Sequence, residues 1–120
     1  MSEEVRKWYH TAIGKLLYLC CNIRLEIMFS VIMAAKYVSD PTPRHVVIVK
    51  RIIRYLKGVN NDHLFFSFSK VERFDLKYFC DSSWIAPKYF SGSIIILNGA
   101  IVSWLGRQQK VPGLSSSEAE

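Results

Sequence analysis

The sequence predicts an α+β chain with its helices first and its strands second. Two observations carry that order: apolar residues recur at helical spacing from Trp8 to Lys57, and after Gly58 the apolar period falls to two. A third is the segment Ser39-Asp40-Pro41-Thr42-Pro43, whose two prolines and cap-type side chains punctuate the helical half.

The helical half resolves into helices at about 9 to 22, 25 to 38 and 43 to 57, with Gly58 a natural C-terminal stop. Ile13, Leu16, Leu17 and Cys20 form the stripe of the first; Ile27, Val31, Ala34, Ala35 and Val38 form that of the second. In the third, at roughly 100° per residue, Tyr55, Ile48, Ile52, Leu56, Val49, Ile53 and Val46 fall on one half of the circumference. Lys57, Lys50, Arg54, Arg51 and Arg44 take the other half, interrupted by Val47. One half is expected to be buried and the other to form a basic ridge, with Lys50, Arg54 and Lys57 aligned at i, i+4 and i+7. Such a ridge suits a phosphate backbone, and it is equally the pattern of an ordinary solvated face.

Strand-like runs follow at Leu64 to Phe68, Phe74 to Cys80, Ser93 to Leu97 and Ile101 to Trp104. Asn98-Gly99 between two apolar runs predicts a type I′ hairpin turn, which needs positive φ at both central positions. Gln108 to Ser117 is polar, and Ser115-x-x-Glu118 has the spacing of a capping box that opens a helix. The chain stops two residues later, so this half reads as a domain that is cut.

With 120 residues and a net charge of +6, the imbalance has an address. Ten basic and four acidic side chains lie up to Gly58, and six of each follow. An anionic partner, nucleic acid or a membrane surface, is therefore expected at the helical half. A composition that is 50% hydrophobic and 13% aromatic excludes a disordered tail. Cys20, Cys21 and Cys80 write neither a disulfide framework nor a zinc ribbon, and a reducing compartment is the default. The acidic N-terminus and an apolar run of only Ile27 to Ala35 point to neither secretion nor membrane insertion.

Candidate chemistry rests on carboxylates. Asp81 is placed where the strand Tyr78-Phe79-Cys80 exits into a loop, as a turn-initiating residue or as a ligand. Glu118 and Glu120 stand roughly 200° apart on a nascent helix. With Glu118 engaged in the cap, Glu120 is free to turn toward the sheet, and Asp81 plus Glu120 form a plausible oxygen pair for a divalent metal. Two carboxylates are too few for a two-metal hydrolase. His10, His45 and His63 do not cluster, and neither a P-loop nor a G-x-S-x-G motif is present.

Taken together, the motifs resemble the Pol polyprotein of copia-type LTR retrotransposons from Tyr9 to Glu120. They are Tyr9-x-x-Ala12-Ile13-Gly14-Lys15-Leu16-Leu17-Tyr18-Leu19, Arg24-Leu25-Glu26-Ile27, Pro41-x-x-x-His45 and Lys50-Arg51-Ile52-Ile53-Arg54-Tyr55-Leu56-Lys57-Gly58. Further on come Cys80-Asp81-Ser82-Ser83-Trp84, Ser91-Gly92, Val102-Ser103-Trp104, Gln108-Gln109-Lys110 and Leu114-Ser115-Ser116-Ser117-Glu118-Ala119-Glu120. Each is weak alone; their order and spacing are specific. The resemblance implies a thumb-like three-helix end of the reverse transcriptase at 1–58, a connecting strand and turn at 59–71, and the start of an incomplete RNase H-like antiparallel meander at 72–120. It implies Asp81 and Glu120 as metal ligands and catalytic carboxylates, with Mg2+ or Mn2+ as the cofactor. The implied partners are an RNA–DNA hybrid or duplex, gripped by Arg44, Lys50, Arg51, Arg54 and Lys57, and the rest of the Pol polyprotein, with no membrane. The implied location is the cytoplasm, in a virus-like particle, or the nucleus.

The departures are also specific. The family's Arg-Pro-Asp-Ile reads Arg24-Leu25-Glu26-Ile27, so no proline stiffens the first interhelix turn, and the stretch from Trp84 to Ser91-Gly92 is several residues shorter than usual. The polymerase's paired-Asp motif and the later RNase H carboxylates are absent. The expectation is a Pol fragment without catalysis of its own. The alternatives are a non-catalytic nucleic-acid-binding module using the third helix, or a membrane-surface or protein-interaction module.

Overall fold

The computed structural model describes residues 2–59, 64, 66, 73–85 and 88–108. The chain divides into two compact units, Met1–His63 and Leu64–Glu120. Its described elements are α1 (Glu3–Asn22), a 3-10 turn (Leu25–Ile27), α2 (Met28–Ala35), α3 (Pro43–Gly58), β1 (Leu76–Ile85), β2 (Lys88–Leu97) and β3 (Ala100–Gln108). The α+β class expected from the periodicity is the class found. The expected strand at Leu64 to Phe68 falls mostly, and the capping box at Ser115 wholly, outside the described residues.

α1 starts at Glu3, well before the apolar stripe begins. Helix formation there needs no burial: Glu3 and Glu4 sit in the first turn, where carboxylates complement the dipole, and the Arg6 N–H reaches the Ser2 carbonyl at 3.2 Å. Its buried side chains are Tyr9, Ile13, Leu16 and Cys20, one face at helical spacing. The α1 end is closed by the Asn22 side-chain amide, which donates to the Tyr18 carbonyl at 2.7 Å.

The second helix is shorter than its stripe. Leu25–Ile27 is a 3-10 turn, and α2 ends at Ala35 because the Tyr37 and Val38 N–H groups bond to the Ala34 and Ala35 carbonyls. These i→i+3 bonds tighten the last turn and stop the helix. The Ala34 carbonyl also accepts the buried Tyr9 hydroxyl at 2.7 Å, which ties α1 to the end of α2.

The core of this unit comprises Tyr9, Ile13, Leu16, Cys20, Ile27, Met28, Val31, Ala34, Val49 and Ile52. Burying an Ile, Leu or Val contributes about 1.5–3 kcal/mol each. The ion pair Arg6–Asp40 is exposed on both sides, and such pairs contribute about 0–1 kcal/mol, so apolar packing holds the helices together.

The second unit is a meander of order β1-β2-β3, antiparallel throughout. Its hairpin turn is the expected one: Asn98 has φ 50° and Gly99 φ 83°, the two positive values that type I′ requires. The turn is also stitched to the start of β1. Asn98 N–H donates to the Asp75 carbonyl, and the Asp75 N–H donates to Asn98 Oδ1, each at 2.8 Å. The strands exceed the runs read from the sequence, because β1 and β2 pair without a break from Leu76↔Leu97 to Ile85↔Lys88. Among the described residues every fully buried apolar side chain belongs to the helical unit, and none to the sheet.

Two stability predictions follow from the helical core. Tyr9→Phe removes the hydroxyl from the Ala34 carbonyl while keeping the ring, so urea denaturation should report a loss of about 1 kcal/mol. Burial, with Cys21 alongside, pushes the Cys20 thiol from 9.0 up to about 12, so the fold favours the protonated thiol. The corresponding stability is complete below pH 9 and lost as pH rises toward 12. Cys20→Ala should flatten the alkaline fall in urea midpoint over that window, and an unchanged slope would refute the assignment.

Candidate nucleic-acid interface

α3 carries five basic side chains and no acidic one. Its ends are set by residues that the ridge pattern does not include. At the N-terminus Pro43 occupies the first turn, where its missing N–H costs nothing, and the Thr42 N–H donates to His45 Nδ1 at 3.0 Å. Because Nδ1 accepts that bond, the ring proton belongs on Nε2. The same ring stacks on Tyr37, with centroids 3.9 Å apart and planes 19° from parallel. Thr42 and His45 therefore form the reciprocal cap that Ser/Thr and Glu/Gln usually make.

At the other end the Val59 carbonyl accepts Arg24 Nη1 at 3.2 Å, while Arg24 Nε pairs with Glu26. Arg24 thereby joins the α1–α2 turn to the end of α3. The turn between α1 and α2, which has no proline, is held by a charged side chain, although Nη2 of Arg24 is buried without a hydrogen-bond partner among the described residues. In the sequence Arg24 stands out only as part of a motif, and His45 only as part of a motif and as one of three histidines that do not cluster. The signal for His45 was its position three residues after Thr42; Arg24 offered none, because its partner Val59 is remote in sequence.

Val49 and Ile52 are the buried residues of α3, a narrower face than the apolar half of its circumference. The expectation that the whole half is covered is thus corrected: Ile48, Ile53 and Tyr55 are exposed, as is Val47 on the opposite side. One helix can contact its neighbours over only a stripe, so the margins of a wide apolar half remain at the surface. On the other side Arg44, Lys50, Arg51, Arg54 and Lys57 are all exposed. None takes part in the ion pairs among the described residues, which are Arg6–Asp40, Arg24–Glu26 and Lys77–Asp75. Lys50 to Lys57 spans roughly 10 Å along the axis at about 1.5 Å per residue. The local field is positive and uncompensated, with Ile48 and Tyr55 beside Arg44 and Arg51 on the helical wheel.

Asp81 does not sit where the sequence reading put it. It lies within β1, opposite Gly92, rather than at a strand exit. The strand continues because Ser82 to Ile85 find partners in β2. Gly92 in turn faces Gly106 on β3, so the row across the sheet from the exposed Asp81 carries no further side chain, and a Cβ at Gly92 would meet nothing within 4 Å. Glu118 and Glu120 lie outside the described residues. Among the described residues no group of three or more His, Cys, Asp or Glu side chains could hold a metal ion. Asp81 alone supplies too few oxygen ligands for a divalent metal centre. No described helix is long and apolar enough to cross a membrane.

No family model matches the chain, and no solved structure does. Curated proteins do match. The secreted RxLR effector protein 161 of Plasmopara viticola is 31% identical over 116 residues, covering 93% of this chain and 80% of that protein. The retrovirus-related Pol polyprotein from transposon RE1 of Arabidopsis thaliana is 34% identical over 116 residues, and that from transposon TNT 1-94 of Nicotiana tabacum is 31% identical. The chain spans 8% of the length of each of these two polyproteins. Near-complete coverage of this chain by the same class of protein agrees with the order of motifs from Tyr9 to Glu120, and the chain is similar to a segment of the retrovirus-related Pol polyproteins of copia-type transposons.

Proposed function

We propose that this chain is the segment of a copia-type Pol polyprotein that joins the end of the reverse transcriptase to the start of RNase H, and that α3 holds duplex nucleic acid, an RNA–DNA hybrid above all. The thumb-like part is residues 1–58, the connection 59–71, and the RNase H-like part 72–120. The observation that supports α3 as the contact is the set of five exposed cations on a helix without acidic residues, none paired with a carboxylate among the described residues. Each phosphate neutralised releases condensed counterions, so affinity comes from charge and carries little sequence preference. The capped N-terminus and the Arg24 tie keep the ridge straight and preorganised, which lowers the ordering cost of binding.

In this reading the chain alone does not cleave. Asp81 and Glu120 are the carboxylates it offers toward Mg2+ or Mn2+, and a two-metal phosphodiester site needs more than two. The remainder of the polyprotein would supply them, in the cytoplasmic virus-like particle or the nucleus. A second reading, a stand-alone binding module that uses the same helix without catalysis, is supported by the 80% coverage of a short relative.

Binding to a duplex should fall with salt, log K against log[salt] having a slope of about −3 to −4 if three or four phosphates are neutralised. Reversing Lys50, Arg54 and Lys57 to Glu should flatten that slope by about one per residue. A slope that ignores both salt and these substitutions would refute the interface. Incubated with Mg2+ or Mn2+, the purified chain should leave an RNA–DNA hybrid uncut; cleavage that disappears in Asp81→Asn would overturn the non-catalytic reading.

A further inference from the structure

The exposed side of α3 carries two rows of side chains that differ in kind. Lys50, Arg54 and Lys57 stand at i, i+4 and i+7, and every member is a cation. Arg44, Ile48, Arg51 and Tyr55 stand at i, i+4, i+7 and i+11, so in this row cations alternate with uncharged apolar groups. All four are exposed, Tyr55 at 46%. Tyr55 follows Arg51 by one turn, about 6 Å along the axis and within about 40° around it. The helical core does not account for the ring, since the buried residues of α3 are Val49 and Ile52.

The two rows match different chemistry. A line of phosphates satisfies the first completely. It does not satisfy the second, because a duplex backbone presents phosphate and sugar while its base faces are stacked on one another. An unpaired nucleotide presents both halves of the alternation, an anionic phosphate and a free π-face, and aromatic rings set among cations are how sequence-tolerant single-strand sites are built.

Resting on the nucleic-acid reading of α3 above, we propose that Tyr55 is a base-stacking residue and that the ridge takes a duplex where it opens into a single strand. Paired phosphates lie on Lys50, Arg54 and Lys57, and the first unpaired base lies on Tyr55 with its phosphate on Arg51. Binding then has two separable parts. The cations set the salt dependence, whereas the ring adds affinity that salt does not screen, because stacking releases no counterions. The ring favours no particular base, since every base has a π-face.

The test is fluorescence anisotropy of the full chain with two labelled RNA–DNA hybrids, one blunt and one with a short unpaired extension, each over a range of salt. The extension should tighten binding about tenfold. Tyr55→Ala should remove that gain, hold the blunt hybrid within about twofold of wild type and leave the slope of log K against log[salt] unchanged; Tyr55→Phe should keep the gain. Tyr55→Leu retains helix propensity and apolar bulk without a π-face, and it should behave as the alanine variant does, the blunt hybrid reporting that it is folded. Equal affinity of the wild type for the two hybrids overturns the stacking proposal and leaves the duplex reading intact, and so does an alanine or leucine variant that keeps the gain. Binding to neither hybrid, the ridge then being left for an acidic protein segment, overturns both. A second measurement needs no variant: with iodouridine in the extension, photocrosslinking to the wild-type chain should attach at Tyr55 by peptide mapping, and attachment elsewhere overturns the assignment.

Discussion

The helical unit depends on apolar packing that draws at least one fully buried side chain from each helix, among them Tyr9 from α1, Val31 from α2 and Val49 from α3. The rest is arranged around that requirement. Tyr9 is the most constrained of the three, since its hydroxyl is buried with its ring and must find an acceptor. It finds the Ala34 carbonyl at the point where α2 tightens and ends. One side chain therefore fixes both the approach of α1 to α2 and the partner of a carbonyl near a helix terminus. Burial, with Tyr37 nearby, also raises the pKa of this phenol, which keeps the donor protonated.

The same packing explains why a basic surface is tolerable on α3. Val49 and Ile52 anchor the helix on one side, and the two ends are tied by the Thr42–His45 cap and by Arg24 on the Val59 carbonyl. Mutual repulsion among five cations is then opposed by contacts on the far face.

The two units differ in how they solve burial. The helices enclose a core, whereas the described sheet is a single layer whose stability comes from ladder hydrogen bonds, cross-strand pairs and a stitched turn. A single antiparallel layer normally needs another layer or further strands to cover an apolar face. Phe79, Ile94 and Trp104 share one such face, in register across the three strands. This makes the sheet the half of the chain most dependent on a further layer or further strands to cover that face.

Much of this was legible in the residues. The α+β order, the breaker at Ser39 to Pro43, the stop at Gly58 and the type I′ turn at Asn98-Gly99 are local consequences of periodicity and backbone sterics, and the likeness to Pol polyproteins follows from motif order. The α3 cations were legible as well, since charge at helical spacing falls on one side whatever the neighbours do. Tertiary structure decided what depends on a remote partner. Ile48, Ile53 and Tyr55 are apolar yet exposed because only a stripe of α3 meets other helices. α2 stops short of its apolar pattern because its last turn tightens and the chain turns back, allowing Tyr37 to meet His45. Asp81 lies within a strand because β2 extends far enough to pair with the residues after it. Arg24 became a tie only when Val59 was brought to it. Local sequence sets what a segment can form, and only the positions of distant residues settle how far it extends and which of its side chains meet a partner.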